Sequence, residues 1–175
     1  GRSKQYKPGG IPGIEHAADI TTPPPPDTVY IQCIDYGPDQ VQITDHKDID
    51  AFLAQPRPEW ATVRWLNIDG LHPYVINKVK DAVGIHTLAA EDILHVPQRP
   101  RVEPYDNDLF IITRMMRLID ERLVSEQVSM FMTHNLVVTF QETHGDVWEP
   151  IRERIHREGS RLRKNNPSYL VYALL

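Results

Sequence analysis

Residues 109–141, LFIITRMMRLIDERLVSEQVSMFMTHNLVVTFQ, hold three apolar runs divided by two short polar links. The runs Leu109–Leu118, Leu123–Thr133 and Leu136–Gln141 predict three strands. The links Asp120-Glu121 and His134-Asn135 are too short for a crossover, so the strands form an antiparallel meander. Thr113 and Arg114 break the apolar stretch Leu109–Met116, the nearest approach to a membrane span, far below the ~20 residues a helix needs.

Upstream, strands alternate with helical patterns. Thr28–Ile34 predicts a strand, Gly37-Pro38-Asp39 a turn and Val41–Thr44 a returning strand. Asp45 or Asp48 caps a short helix through Ala54, stopped by Pro56 and Pro58. Thr62–Ile68 is the next strand. A helix follows, with His72 as cap, Pro73 in its first turn and an apolar stripe of Val75, Ile76, Val79 and Val83.

Gly84–Val102, GIHTLAAEDILHVPQRPRV, supplies a C-cap in Gly84 and a new N-cap in Thr87. On the wheel Ala89, Ala90, Ile93 and Leu94 gather on one side, with Glu91, Asp92 and His95 opposite. Pro97 and Pro100 end this helix and extend the chain towards Arg101.

Downstream of the meander, Asp146 and Glu149 resemble a capping box for a helix striped by Val147, Ile151 and Ile155. Gly159-Ser160 weakens or ends it, and a last helix starts near Pro167. Strands interrupted by helices and closed by a meander predict an α/β (α+β) domain over residues 28–175. Its sheet is mixed, largely antiparallel and sandwiched between helices. Residues 1–27, with Pro8, Pro12 and Pro23–Pro26 among glycines, predict a flexible leader.

The 24 acidic residues outnumber 19 Lys and Arg, a net charge of −5 that argues against nucleic acid as a partner. Cys33 stands alone, which excludes an internal disulfide and suits a reducing compartment. No signal peptide is visible, and a chain opening on Gly1 and ending in an apolar run reads as part of a longer protein.

Adjacent carboxylates are hard oxygen donors, so Glu91 and Asp92 suit Mg²⁺ or Ca²⁺; a solvated helix face is the more common explanation of two adjacent acids. His86 and His95 would turn the choice towards Zn²⁺, without the close His or Cys spacing that zinc sites show. Arg152, Arg154, Arg157, Arg161, Arg163 and Lys164 form a basic run, either a solvated helix face or a dock for an acidic helix. Gln141 and Glu142 end a strand beside Gly145, a position open to a catalytic acid and more often used by loop backbone. No nucleophile motif or phosphate loop is present, no catalytic residue is assigned, and Cys33 is a core residue.

Several blocks taken together resemble the CorA family of magnesium channels. They are WLNIDG at 65–70, GIHTLAAEDIL at 84–94, QRPRVE at 98–103, EQVS at 126–129, TFQE at 139–142, GDVWEPIRERI at 145–155 and YLVY at 169–172. The departures are Thr87 where the family often has proline, Ala90 where a larger apolar residue is usual, and Glu149 where aspartate is common.

The resemblance implies the N-terminal domain, at the cytoplasmic face of the membrane, of a homopentameric channel for Mg²⁺, with Co²⁺ or Ni²⁺ as further cargo. Its stalk, membrane helices and pore signature would follow Leu175. It also implies that Mg²⁺ between neighbouring subunits holds the channel closed, with Asp92 as a ligand, Glu91 at an associated position and partner carboxylates on the adjacent stalk. The alternatives are a ZntB-type zinc transporter domain and a soluble metal-dependent hydrolase using Glu91, Asp92 and His95. On either transport reading, the chain alone should fold, stay monomeric or weakly associated, transport nothing and bind Mg²⁺ weakly.

Overall fold

The computed structural model describes residues 18–145 and 147–175. The first half contains β1 (Tyr30–Tyr36), β2 (Val41–His46), α1 (Ile49–Leu53), β3 (Val63–Asp69), α2 (Pro73–Val83) and α3 (Thr87–Leu94). The second contains β4 (Arg101–Tyr105), β5 (Asp108–Ile119), β6 (Arg122–Met132), β7 (Leu136–Gln141), α4 (Glu149–His156), α5 (Arg161–Lys164) and α6 (Pro167–Leu174). Seven strands make one sheet in the order β2-β1-β3-β7-β6-β5-β4. Every neighbouring pair is antiparallel except β3 with β7, where Trp65 lies opposite Val137 and Asp69 opposite Gln141. The expected mixed, largely antiparallel sheet between helices is therefore the observed one.

Strand alternation sends neighbouring residues to opposite faces, and each face has its own core. On one, Ile31, Leu66, Ile68, Phe110, Phe131 and Phe140 pack beneath Phe52, Val75, Val79, Ala89 and Ile93 of α1 to α3. On the other, Ile34, Tyr36, Trp65, Val128, Met130 and Val137 pack beneath Trp148, Ile155, Leu162, Leu170 and Leu174. Cys33 is buried in the first core, and loss of solvation pushes its thiol up to about 12, so it is the core residue expected.

Local signals account for most boundaries. Asp48 caps α1 by accepting from the amides of Asp50 and Ala51, while Asp45 sits within β2. His72 caps α2 through its ring, and Gly84 closes that helix at φ 86°. Gly70 ends β3 at φ +105°, where a Cβ would stand 2.6 Å from the Thr28 carbonyl oxygen. Asp120 and Glu121 both adopt positive φ, 48° and 62°, in a two-residue link whose twist matches the strands it joins.

Four expectations need correction. The cap of α3 is His86 rather than Thr87, because the His86 ring nitrogen Nδ1 accepts from the Leu88 amide at 3.2 Å. β4 is a strand that the prolines around it had concealed; Pro104 is tolerated because β4 is an edge strand. At α4, Asp146 lies outside the described residues and the cap position falls to Trp148, which makes no side-chain cap bond. Its ring is buried edge-on to Trp65 at 5.5 Å. The basic run is divided at Gly159 between α4 and α5 and is not one solvated face. Arg163 is buried with Nε donating to the Gly37 carbonyl at 3.3 Å, and Arg152 donates to Glu149 at 3.0 Å.

Candidate functional site

α3 is held by its apolar side: Ala89, Ala90 and Ile93 are buried against the sheet. That seating fixes which residues face outward. Glu91 and His95 are exposed and Asp92 is half-buried, as the helical wheel required. Asp92 faces the edge strand β4, whose alternation brings Arg101, Glu103 and Tyr105 to one side.

The result is a charged ridge. Arg101 Nη2 donates to Asp92 Oδ2 and Arg101 Nε donates to Glu103 Oε1. Glu103 Oε2 accepts from the Tyr105 hydroxyl at 2.7 Å. These hydrogen bonds, that from Tyr105 foremost, hold the Glu103 carboxyl below the ordinary carboxylate range. The Tyr105 ring stacks on His86 at 5.2 Å between centroids, returning the ridge to the cap of α3. His86 is thus engaged as a cap and a stacking partner, while His95 stands at the far end of the helix.

Carboxylate oxygens are what Mg²⁺ accepts, so the donor chemistry of Glu91 and Asp92 fits that ion. Among the described residues, no group of three or more His, Cys, Asp and Glu stands close enough to hold a metal. Mg²⁺ keeps several waters and needs only one or two carboxylates, which is the number that Glu91 and Asp92 supply.

A second polar region was not foreseen. Asp69, at the end of β3, is only 3% exposed, and its Oδ2 lies 3.0 Å from His144 Nδ1. Asn67 donates to its Oδ1 at 3.2 Å, Thr139 donates to Asn67, and the Trp65 indole donates to Thr139. The His144 ring stacks on Tyr30 at 4.0 Å. Tyr30, Asn67, Asp69 and His144 line a cleft of about 830 Å³, whose wall includes Pro24–Pro26 of the expected leader. Of the pair singled out at the end of β7, Gln141 is buried and Glu142 exposed.

The fold is shared with the ZntB cytoplasmic domain of Vibrio parahaemolyticus, with a TM-score of 0.57 and 13% identity, covering 75% of this chain and 51% of that one. It is shared too with the CorA magnesium transporter of Methanocaldococcus jannaschii, with a TM-score of 0.56 and 15% identity, covering 81% of this chain and 42% of that one. The sequence matches the family described as CorA-like Mg²⁺ transporter protein over residues 60–175, and the chain belongs to that family. The cobalt/magnesium transport protein CorA of Thermotoga maritima is 38% identical over 148 residues, 83% of this chain and 42% of that protein. The chain spans less than half the length of the curated relatives it matches.

Proposed function

We propose that this chain is the regulatory, Mg²⁺-sensing domain of a homopentameric CorA-type channel for Mg²⁺ or related divalent cations, acting at the cytoplasmic face of the membrane. The observation that carries the reading is the outward setting of Glu91 and Asp92 on a helix whose other side is buried. Like charges so placed cannot satisfy one another; Glu91 is open to a neighbouring subunit, and Asp92 is partly exposed with its Oδ2 held by Arg101. Asp92 is a direct ligand of a regulatory Mg²⁺ between subunits, and Glu91 is its associate. A labile ion sharing its carboxylates between two subunits favours their closed arrangement; its loss leaves like charges facing each other and biases the subunits apart.

The test uses the weakness expected of a half-site. With a dissociation constant on the order of 10 mM, 10 mM Mg²⁺ stabilises the fold by about 0.4 kcal/mol. That is a rise of roughly 1–2 °C in Tm for a domain of this size. Asp92→Asn is expected to remove the rise. A Mg²⁺-induced shift that survives Asp92→Asn would place the ion elsewhere and overturn the proposal.

A further inference from the structure

We propose that Arg101 is a built-in competitor of the metal: its guanidinium occupies Asp92 when no ion is bound and withdraws onto Glu103 when one arrives. The inference rests on the reading of Asp92 as a Mg²⁺ ligand and concerns what sets the affinity there. Three observations carry it. Arg101 is forked between two carboxylates on different elements, Asp92 on α3 and Glu103 on β4. Glu103 is anchored independently of Asp92, by the Tyr105 hydroxyl at 2.7 Å and through Tyr105 to the ring of His86. All three charged side chains are partly open to solvent, Arg101 at 25%, Asp92 at 32% and Glu103 at 34%.

A guanidinium keeps its charge at any working pH, so it opposes a cation at Asp92 under all conditions. An ion approaching Asp92 must displace Arg101 from Oδ2 or accept a positive neighbour in contact. Displacement is inexpensive because the Glu103 bond and a second donation, Arg101 Nη1 to the Arg99 carbonyl at 3.2 Å, persist when the Asp92 bond breaks. Glu103 is thereby the resting place of the displaced charge, and Arg101 and Glu103 act on the ion through Asp92 as positioning residues.

The arrangement makes two substitutions act in opposite directions. Arg101→Gln removes the competitor and should tighten Mg²⁺ binding by about two- to fivefold, the range a partly exposed ion pair commands. Glu103→Gln leaves Arg101 with Asp92 as its remaining carboxylate on the ridge and should weaken binding by about twofold. Arg101→Lys keeps the charge and should stay near the parent.

The experiment is a MgCl₂ titration of the chain at fixed ionic strength, read from the amide resonances of α3 and from the Arg101 Nε–H resonance. The latter should persist while the Asp92 contact is lost. If Arg101→Gln and Glu103→Gln both titrate like the parent while Asp92→Asn abolishes binding, the competitor role is overturned and the metal site stands. If both shift affinity in the same direction, the effect is loosening of the ridge and the competitor role again falls. If Asp92→Asn binds Mg²⁺ unchanged, the site reading fails and this inference fails with it.

Discussion

Asp69 keeps its carboxylate at the end of β3 with His144 and Asn67 as partners, and burial pushes its pKa above the ordinary aspartate range. A carboxyl whose pKa is raised in the fold favours folding while it is protonated, and that contribution is lost as the pH climbs through the raised value. Asp69→Asn has no such ionisation. The stability of the natural chain relative to Asp69→Asn is therefore expected to fall as the pH rises above about 4, measured by urea unfolding at each pH. A gap that widens in the natural chain's favour would mean that pairing with His144 outweighs burial. Nothing in the sequence announces this pair, because the partners are 75 residues apart and meet only through the β3–β7 pairing. Asp92 is the opposite case. Helical spacing alone turns it away from the core, while its bond to Arg101 depends on where an unforeseen strand lies.

At the scale of elements, α3 carries the candidate site and Ile93 holds α3 down with no exposed surface. Ile93→Ala should cost about 2–5 kcal/mol, read as a lowered urea midpoint with an unchanged slope. The β5–β6 link gives a change of the other sign. Glu121 holds φ at 62°, a conformation in which glycine is favoured at this turn position, so Glu121→Gly should raise Tm by roughly 1–2 °C. A lowered Tm there would mean that the entropy glycine gains in the unfolded chain outweighs the relief of strain. The meander, the caps of α1 and α2 and the apolar stripes were legible because each is written within a few neighbouring residues. β4 was not, since five residues containing Pro104 carry too short an alternation, and its place is set by pairing with β5. The split of the basic run was half legible: Gly159-Ser160 marks the break, but the burial of Arg163 depends on Gly37, at the far end of β1.

For the whole molecule, association is the property most exposed to test. The chain carries a net charge of −5, and no helix among the described residues is long and apolar enough to cross a membrane. With mutual repulsion between copies, it should sediment at its monomer mass of 20.2 kDa at micromolar concentration without Mg²⁺. A stable pentamer under those conditions would mean that this domain carries its own assembly surface.

The parallel contact of β3 with β7 has a kinetic consequence. Apart from it, every strand pair is a hairpin or joins strands of the same half, whereas Asn67 and Thr139 are 72 residues apart. Closing that loop costs chain entropy before any contact repays it, so the two halves should organise first and dock along this seam last. Each half alone would bare one hydrogen-bonding edge, β3 or β7, beside unfilled core positions such as Ile68 and Phe140. Changes in the β5–β6 hairpin, already formed when the halves dock, should then slow folding, and changes at the seam should act mainly on the rate of coming apart. A backbone cut among residues 97–100 would yield two fragments whose recombination rate depends on concentration.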